Sequence, residues 1–176
     1  MKISCQRLFI SCILIIQFSF HLNAQSTVKG TYLILLRHAE KDTTTLGFTM
    51  MQADPPLSEK GIQRSSKLLE TLKEYKIDSI FSTNFNRTRN TILPLASKLG
   101  INVRLYEPKN QTILAEELKK MIGKTVLVVG HSNTIPALVN LLIGSNKYAN
   151  LSDNEYDKIW ILHLEGGKYI EKQIQY

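Results

Sequence analysis

Thr31-Tyr32-Leu33-Ile34-Leu35-Leu36 is followed without a break by Arg37-His38-Ala39-Glu40. A run of β-branched, aromatic and leucine residues with little polar alternation reads as a strand buried on both faces, as in a parallel sheet covered by helices. An arginine and a histidine then stand side by side where that strand runs out into a loop, the address at which open α/β folds carry out their chemistry. A second run, Thr125-Val126-Leu127-Val128-Val129-Gly130, ends in the same way on His131. Two strand-end histidines point to one shared site.

Between and around these runs strand and helix take turns. Lys41 to Pro56, rich in threonine and closed by Asp54-Pro55-Pro56, reads as a loop or lid. Ser58 offers an N-cap, and Ile62, Leu68, Leu69, Leu72 and Tyr75 give a helical stripe that runs through Tyr75. Ile77 to Phe81 is a short strand. Asn86 to Leu99 is a helix with Ile92, Leu95, Ala96 and Leu99 inward and Gly100 closing it, and Pro94 inside it predicts a kink or a shifted start. Ile101 to Leu105 alternates as a strand, Gln111 to Ile122 is a third helix, and Thr134 to Ile143 a fourth. Ile159 to Leu164 and Tyr169 to Ile174 flank Glu165-Gly166-Gly167-Lys168 as a β-hairpin. The expected fold is a three-layer α/β/α domain, its sheet mainly parallel with an antiparallel edge hairpin.

Length sets the scale of that domain. The 176 residues, 43% of them apolar, suit one globular domain with a sizeable core. Residues 1–24 stand apart: Lys2 and Arg7 precede an apolar run from Leu8 to Phe20, and Leu22-Asn23-Ala24-Gln25 offers a small residue for cleavage. That is the layout of a secretory signal peptide, leaving residues 25–176 as the working domain. An uncleaved anchor is the alternative, but the run is shorter than the roughly 20 residues of a spanning helix. A lipoprotein through Cys12 is another, although most of the apolar run follows that cysteine.

Cys5 and Cys12 both fall in this leader, so the mature chain has no thiol for a disulfide or a thiolate metal site. No metal site and no cofactor are expected. Without Lys2 and Arg7 the basic residues number 20 against 15 acidic ones, a net charge of +5 that helps draw in anions. No cluster of five or more Lys and Arg occurs, which argues against nucleic acid as a partner. The expected partner is a small-molecule phosphate ester, with no membrane contact once the signal is removed; the oligomeric state is not legible.

Moving a phosphoryl group requires cationic donors aimed at its non-bridging oxygens and a nucleophile in line. Arg37 and His38 supply one of each. Arg87, shortly after the strand that ends at Phe81, is a further donor whose planar fork suits phosphate, and His131 is another. Taken singly, a strand-end histidine is more often structural and Arg87 is more often a surface arginine. Arg89, two residues on, is the control for that reading. His163, inside the last apolar strand pair, reads as structural. Three separate segments delivering the right residue type to one sheet edge outweigh the dull reading of each.

The motifs together resemble the histidine phosphatase superfamily, also called phosphoglycerate mutase-like. Arg37-His38-Ala39-Glu40 is similar to its Arg-His-Gly/Ala-Glu signature, and Leu57-Ser58-Glu59-Lys60-Gly61 to its helix start. Ser82-Thr83-Asn84-Phe85-Asn86-Arg87-Thr88 looks like its strand-to-helix arginine segment, and Gly130-His131-Ser132 like its second histidine. The resemblance implies that His38 is the nucleophile of a phosphohistidine intermediate and that Arg37, Arg87 and His131 form the phosphate pocket. It also implies a proton donor at Glu107, since Arg104-Leu105-Tyr106-Glu107 is similar to the stretch that carries the acid in mutase-type members; Glu40 is a weaker candidate.

Lys41-Asp42-Thr43 and Pro108-Lys109-Asn110 depart from the mutase pattern, and the chain is short of the insertions that wrap a mutase substrate. Hydrolysis of a phosphomonoester without metal is therefore expected ahead of phosphomutase activity. The loop Lys41 to Pro56, with Phe48, Met50 and Met51, and the segment Lys147 to Asp157 are expected to overhang the pocket. A rival from another class is a domain that binds a phosphorylated ligand without turnover; it would have no need of His38 and Glu107. Of the sequons Asn86-Arg87-Thr88, Asn110-Gln111-Thr112 and Asn150-Leu151-Ser152, the first would put a glycan beside Arg87. The expectation is a bacterial protein, periplasmic or extracellular, acting on a small exported or envelope phosphate ester.

Overall fold

The computed structural model describes residues 30–43 and 54–176. Residues 1–24, expected to be a signal segment, and the loop residues Phe48, Met50 and Met51 lie outside that range. In chain order the elements are β1 (Tyr32–Arg37), α1 (Glu59–Thr71), β2 (Ser79–Ser82), α2 (Asn86–Leu99), β3 (Val103–Leu105), α3 (Gln111–Lys119), β4 (Thr125–Gly130), α4 (Thr134–Ile143), β5 (Lys158–Glu165) and β6 (Lys168–Gln175). They build one six-stranded sheet in the order β3-β2-β4-β1-β5-β6. β1 pairs parallel with β4, which pairs parallel with β2, and β2 with β3, while β5 and β6 are antiparallel. The fold is the expected three-layer α/β/α arrangement with an antiparallel edge.

Because side chains of a strand alternate between its faces, β1 splits its apolar run between two cores. Leu33 and Leu35 pack with Leu114 and Leu118 of α3 and Ile135, Leu138 and Val139 of α4. Ile34 and Leu36 pack with Leu68 of α1 and Ile92, Leu95 and Ala96 of α2. All four β1 residues are fully buried, and each such side chain contributes about 1.5–3 kcal/mol. That double burial is why the strand could carry no polar alternation. The Gly166-Gly167 turn joining β5 to β6 has φ of 56° and 79°, the positive values a two-residue hairpin turn of this hand requires.

Several boundaries differ from the periodicity. α1 begins on the predicted cap, with Gly61 N–H donating to Ser58 Oγ at 3.2 Å, but it stops at Thr71 and not at Tyr75. Leu72 is buried outside the helix, in a turn closed by Tyr75 N–H donating to Leu72 C=O, so the apolar stripe outlasts the helix that carries it. Ile62 and Leu99, expected inward, are 58% and 42% exposed, each lying at the edge of its helix stripe. α3 ends three residues early, and Ile122 is 57% exposed. The β2 strand starts at Ser79 and β3 at Val103, while the hairpin strands extend one residue further at each end.

Pro94 lies inside α2 without shifting its start from Asn86. A helical proline denies the carbonyl four residues earlier its N–H partner. Here that carbonyl is Asn90, and the Ser65 hydroxyl of α1 reaches it at 3.0 Å and the next carbonyl, Thr91, at 2.8 Å. The neighbouring helix thus supplies what the proline removes.

Candidate active site

Every parallel strand points its C-terminal end to one edge, and the predicted site residues gather there. His38 follows β1, His131 follows β4, and Arg87 lies in the first turn of α2 just beyond β2. The backbone N–H of His38 donates to Gly130 C=O at 2.9 Å, tying the two histidine loops together. The two imidazoles stand with ring centroids 5.5 Å apart at 67°.

The tautomer of His38 follows from its partner. Nδ1 lies 2.7 Å from Ala39 C=O, an acceptor only, so Nδ1 carries the proton. Burial lowers the pKa to about 3; the Ala39 hydrogen bond opposes that shift, and the nearby Arg37, Arg87 and His131 add to it. The ring is therefore neutral with its lone pair on Nε2. Ala39 is itself held, its N–H donating to Thr91 Oγ1 at 2.8 Å, while Thr91 Oγ1 donates to Arg87 C=O at 2.7 Å. One threonine of α2 thereby links the histidine loop to the arginine turn.

Each arginine sits on an aromatic ring. Arg37 Cζ lies 3.8 Å from the Tyr156 ring centroid, and Arg87 Cζ 4.4 Å from that of Phe85. Arg37 Nη1 donates to the carbonyls of Ser152 at 2.7 Å, Glu155 at 3.0 Å and Asp153 at 3.4 Å, whereas its buried Nε has no partner among the described residues. Burial lowers the pKa of both guanidiniums, Asp54 opposing the shift at Arg87. Asp54 also accepts the Asn86 N–H on both carboxylate oxygens at 2.8 Å, capping α2, whose own cap residue Phe85 has no side chain for the task.

His131 Nε2 lies 3.0 Å from Thr83 Oγ1, and the Phe85 ring meets the imidazole edge-on at 5.1 Å. Burial, with Arg87 and Arg37 nearby, lowers the His131 pKa to about 4. Tyr156 stands 5.9 Å from His38.

Arg37, His38, Arg87 and His131 thus share one site. Glu107 follows β3 at the same edge and is exposed. Glu40 is engaged elsewhere: both its oxygens accept from Arg64 at 2.9 Å and Lys60 approaches to 3.4 Å. Burial pushes the Glu40 carboxyl up, but these donors and its own backbone N–H together hold it below its ordinary value, which suits a structural carboxylate. Gly61 leaves room for this corner, since a Cβ there would meet Glu40 O at 2.2 Å. Arg89 binds Asn86 Oδ1 at the surface, and His163 stacks on Tyr32 at 4.6 Å, as a structural histidine does. Tyr156, Thr83, Thr91 and Asp54 escaped sequence reasoning as site residues. The segment Lys147 to Asp157 was legible as overhanging the pocket, but nothing singled out its tyrosine.

Fold and site define an α/β domain with paired histidines and arginines at the C-terminal strand edge. Residues 33–108 match the family model of the histidine phosphatase superfamily (branch 1). Over that stretch, which runs from β1 to just past β3, the chain is similar to this superfamily. Phosphoserine phosphatase 1 of Hydrogenobacter thermophilus is 35% identical over 71 residues, 40% of this chain, and the match spans only 34% of that protein. The protein histidine phosphatase SixA complexed with tungstate has a TM-score of 0.66 at 16% identity, covering 82% of this chain and 96% of the other. Phosphoserine phosphatase from Entamoeba histolytica in complex with 3-phosphoglyceric acid has a TM-score of 0.63 at 18% identity, covering 82% and 96%.

Proposed function

We propose that the protein is a metal-independent phosphomonoester hydrolase that works through a phosphohistidine on His38. The observation that carries this reading is the Nδ1–H bond from His38 to Ala39 C=O, which leaves Nε2 as an unprotonated nucleophile amid two arginines and a second histidine. Nε2 attacks phosphorus while the ester P–O bond breaks, and the departing oxygen takes a proton from Glu107. Water then gives a proton to the Glu107 carboxylate and attacks phosphorus as the P–N bond breaks, releasing inorganic phosphate and restoring the Nε2 lone pair and the Glu107 carboxyl. Arg37, Arg87 and His131 bear the charge on the non-bridging oxygens, and loss of one such donor costs about 10²- to 10³-fold in rate.

The relatives' ligands support a small phosphate ester as substrate: 3-phosphoglyceric acid and tungstate occupy two solved neighbours. With the leader-like residues 1–24, the reading extends to an exported, periplasmic or extracellular bacterial enzyme acting on an envelope or exported ester. The test is turnover of an aryl phosphate by the purified protein. His38→Ala is expected to abolish turnover with the fold intact, and chelator is expected to leave the wild-type rate unchanged. Undiminished activity in the variant rejects the nucleophile. Intact activity of Glu107→Gln would move the proton donor elsewhere.

A further inference from the structure

The hydroxyls behind His131 have just enough protons to decide its state. Thr83 and Thr88 are fully buried. Thr88 Oγ1 lies 2.9 Å from Thr83 C=O and 2.8 Å from Phe85 C=O, both acceptors only, so the single Thr88 proton is committed to them. Thr83 Oγ1 lies 2.9 Å from Thr88 Oγ1, and its own single proton must fill that contact. Thr83 Oγ1 is then an acceptor at its second contact, 3.0 Å from His131 Nε2, which must donate. The reverse order would send the Thr88 proton to Thr83 and the Thr83 proton to the ring. It would leave oxygen facing carbonyl oxygen at 2.8 and 2.9 Å with no proton between.

We infer that Thr83 and Thr88 fix His131 as its Nε2–H tautomer, the opposite of His38, so that Nδ1 meets a phosphoryl oxygen only when a proton arrives with the phosphate. The inference rests on the proposed function for its phosphate half. A lone pair on Nδ1 repels an anionic oxygen, whereas a proton shared between them turns the contact into a charge-assisted hydrogen bond. The free ring cannot hold that proton at neutral pH: burial disfavours the charge, and Arg87 of α2, Arg37 of β1 and the His38 imidazole all face it, with Asp54 the one opposing charge among the described residues. A phosphate monoanion brings the proton itself; a dianion must wait for one from solvent. Thr83 and Thr88 are therefore positioning residues that set which ionic form of the phosphate binds.

Two measurements test this. In proton–nitrogen correlation spectra of the free full chain, His131 is expected as the Nε2–H form and His38 as the Nδ1–H form, assigned by His→Gln variants. A His131 protonated on Nδ1 overturns the proposal without any reference to activity. Inorganic phosphate is then titrated calorimetrically in buffers of different ionisation heat. Above its second pKa, wild-type binding is expected to take up one proton and weaken tenfold per pH unit. Thr83→Val frees the ring to carry its proton on Nδ1, so uptake and slope should vanish. Thr88→Val leaves the Thr83 proton no acceptor but Nε2, and should invert the tautomer. Wild-type binding without proton uptake, or a Thr83→Val slope equal to wild type, overturns the proposal. An intact Nε2–H signal with no phosphate binding at any pH would instead overturn the phosphatase reading and the half that rests on it.

Discussion

Arg37 is buried to within 3% of its surface, and its charge is tolerated there because three carbonyls of the 152–155 segment and the face of Tyr156 surround it. A guanidinium over an aromatic ring gains about 0.5–2 kcal/mol, a factor of roughly 2 to 30 in binding. Tyr156→Leu is therefore expected to raise KM for an aryl phosphate within that range, while Tyr156→Phe, which keeps the ring, stays near wild type. Equal effects of the two changes would assign the role to the hydroxyl. Arg87→Lys isolates the other donor: the charge survives and the fork does not, so kcat is expected to fall by about 10²-fold or more. The cluster of Arg37, His38, Arg87 and His131 was legible because each ends or follows an apolar strand. Tyr156 was not, because a tyrosine in a polar loop carries no periodicity, and its importance arises only from meeting Arg37 across 119 positions of chain.

Helix α2 shows how one element settles a conflict that its own sequence leaves open. Pro94 removes the N–H that Asn90 C=O would accept, and Ser65 of α1 answers it. A buried carbonyl left without a donor costs about 1–3 kcal/mol, so Ser65→Ala is expected to destabilise by that amount in urea unfolding. In a Pro94→Ala background the backbone N–H returns and the cost of Ser65→Ala should shrink. An unchanged cost would place the Ser65 contribution at the Thr91 carbonyl instead. α2 and α4 were legible to the residue because glycine closes both: Gly100 and Gly144 take φ of 65° and 68°. α1 and α3 end without one, on Leu72 and Lys120, and there the hydrophobic stripe overran the helix. Periodicity reports which residues face the core, whether or not they remain helical.

At the scale of the whole molecule, the site competes with stability through proton linkage. Both histidines are held neutral, His38 with a pKa near about 3 and His131 near about 4, against 6.5 for the unfolded ring. Between those values the unfolded chain binds protons that the folded chain does not, so stability rises with pH across the window. It is fully present above 6.5 and is lost progressively as pH falls through it towards the folded values. For a buried histidine such as His38 the slope approaches about 1.4 kcal/mol per pH unit well inside that window. Glu40, Glu70, Glu155 and Glu171, all held below their ordinary values, add slopes of the same sign lower down, Glu155 being held to about 2 by Lys158 and the Ser152 backbone N–H. The separation is therefore made by difference. Urea midpoints of wild type and of His38→Gln are compared at pH 7 and pH 5, where the carboxylates contribute little change. Wild type is expected to lose stability over that step, and the variant to lose measurably less. Equal losses would mean that the imidazole is solvated enough to titrate in the folded chain. A ring charged at working pH could not attack phosphorus, so the same measurement that reads stability bears on whether His38 is held as a nucleophile.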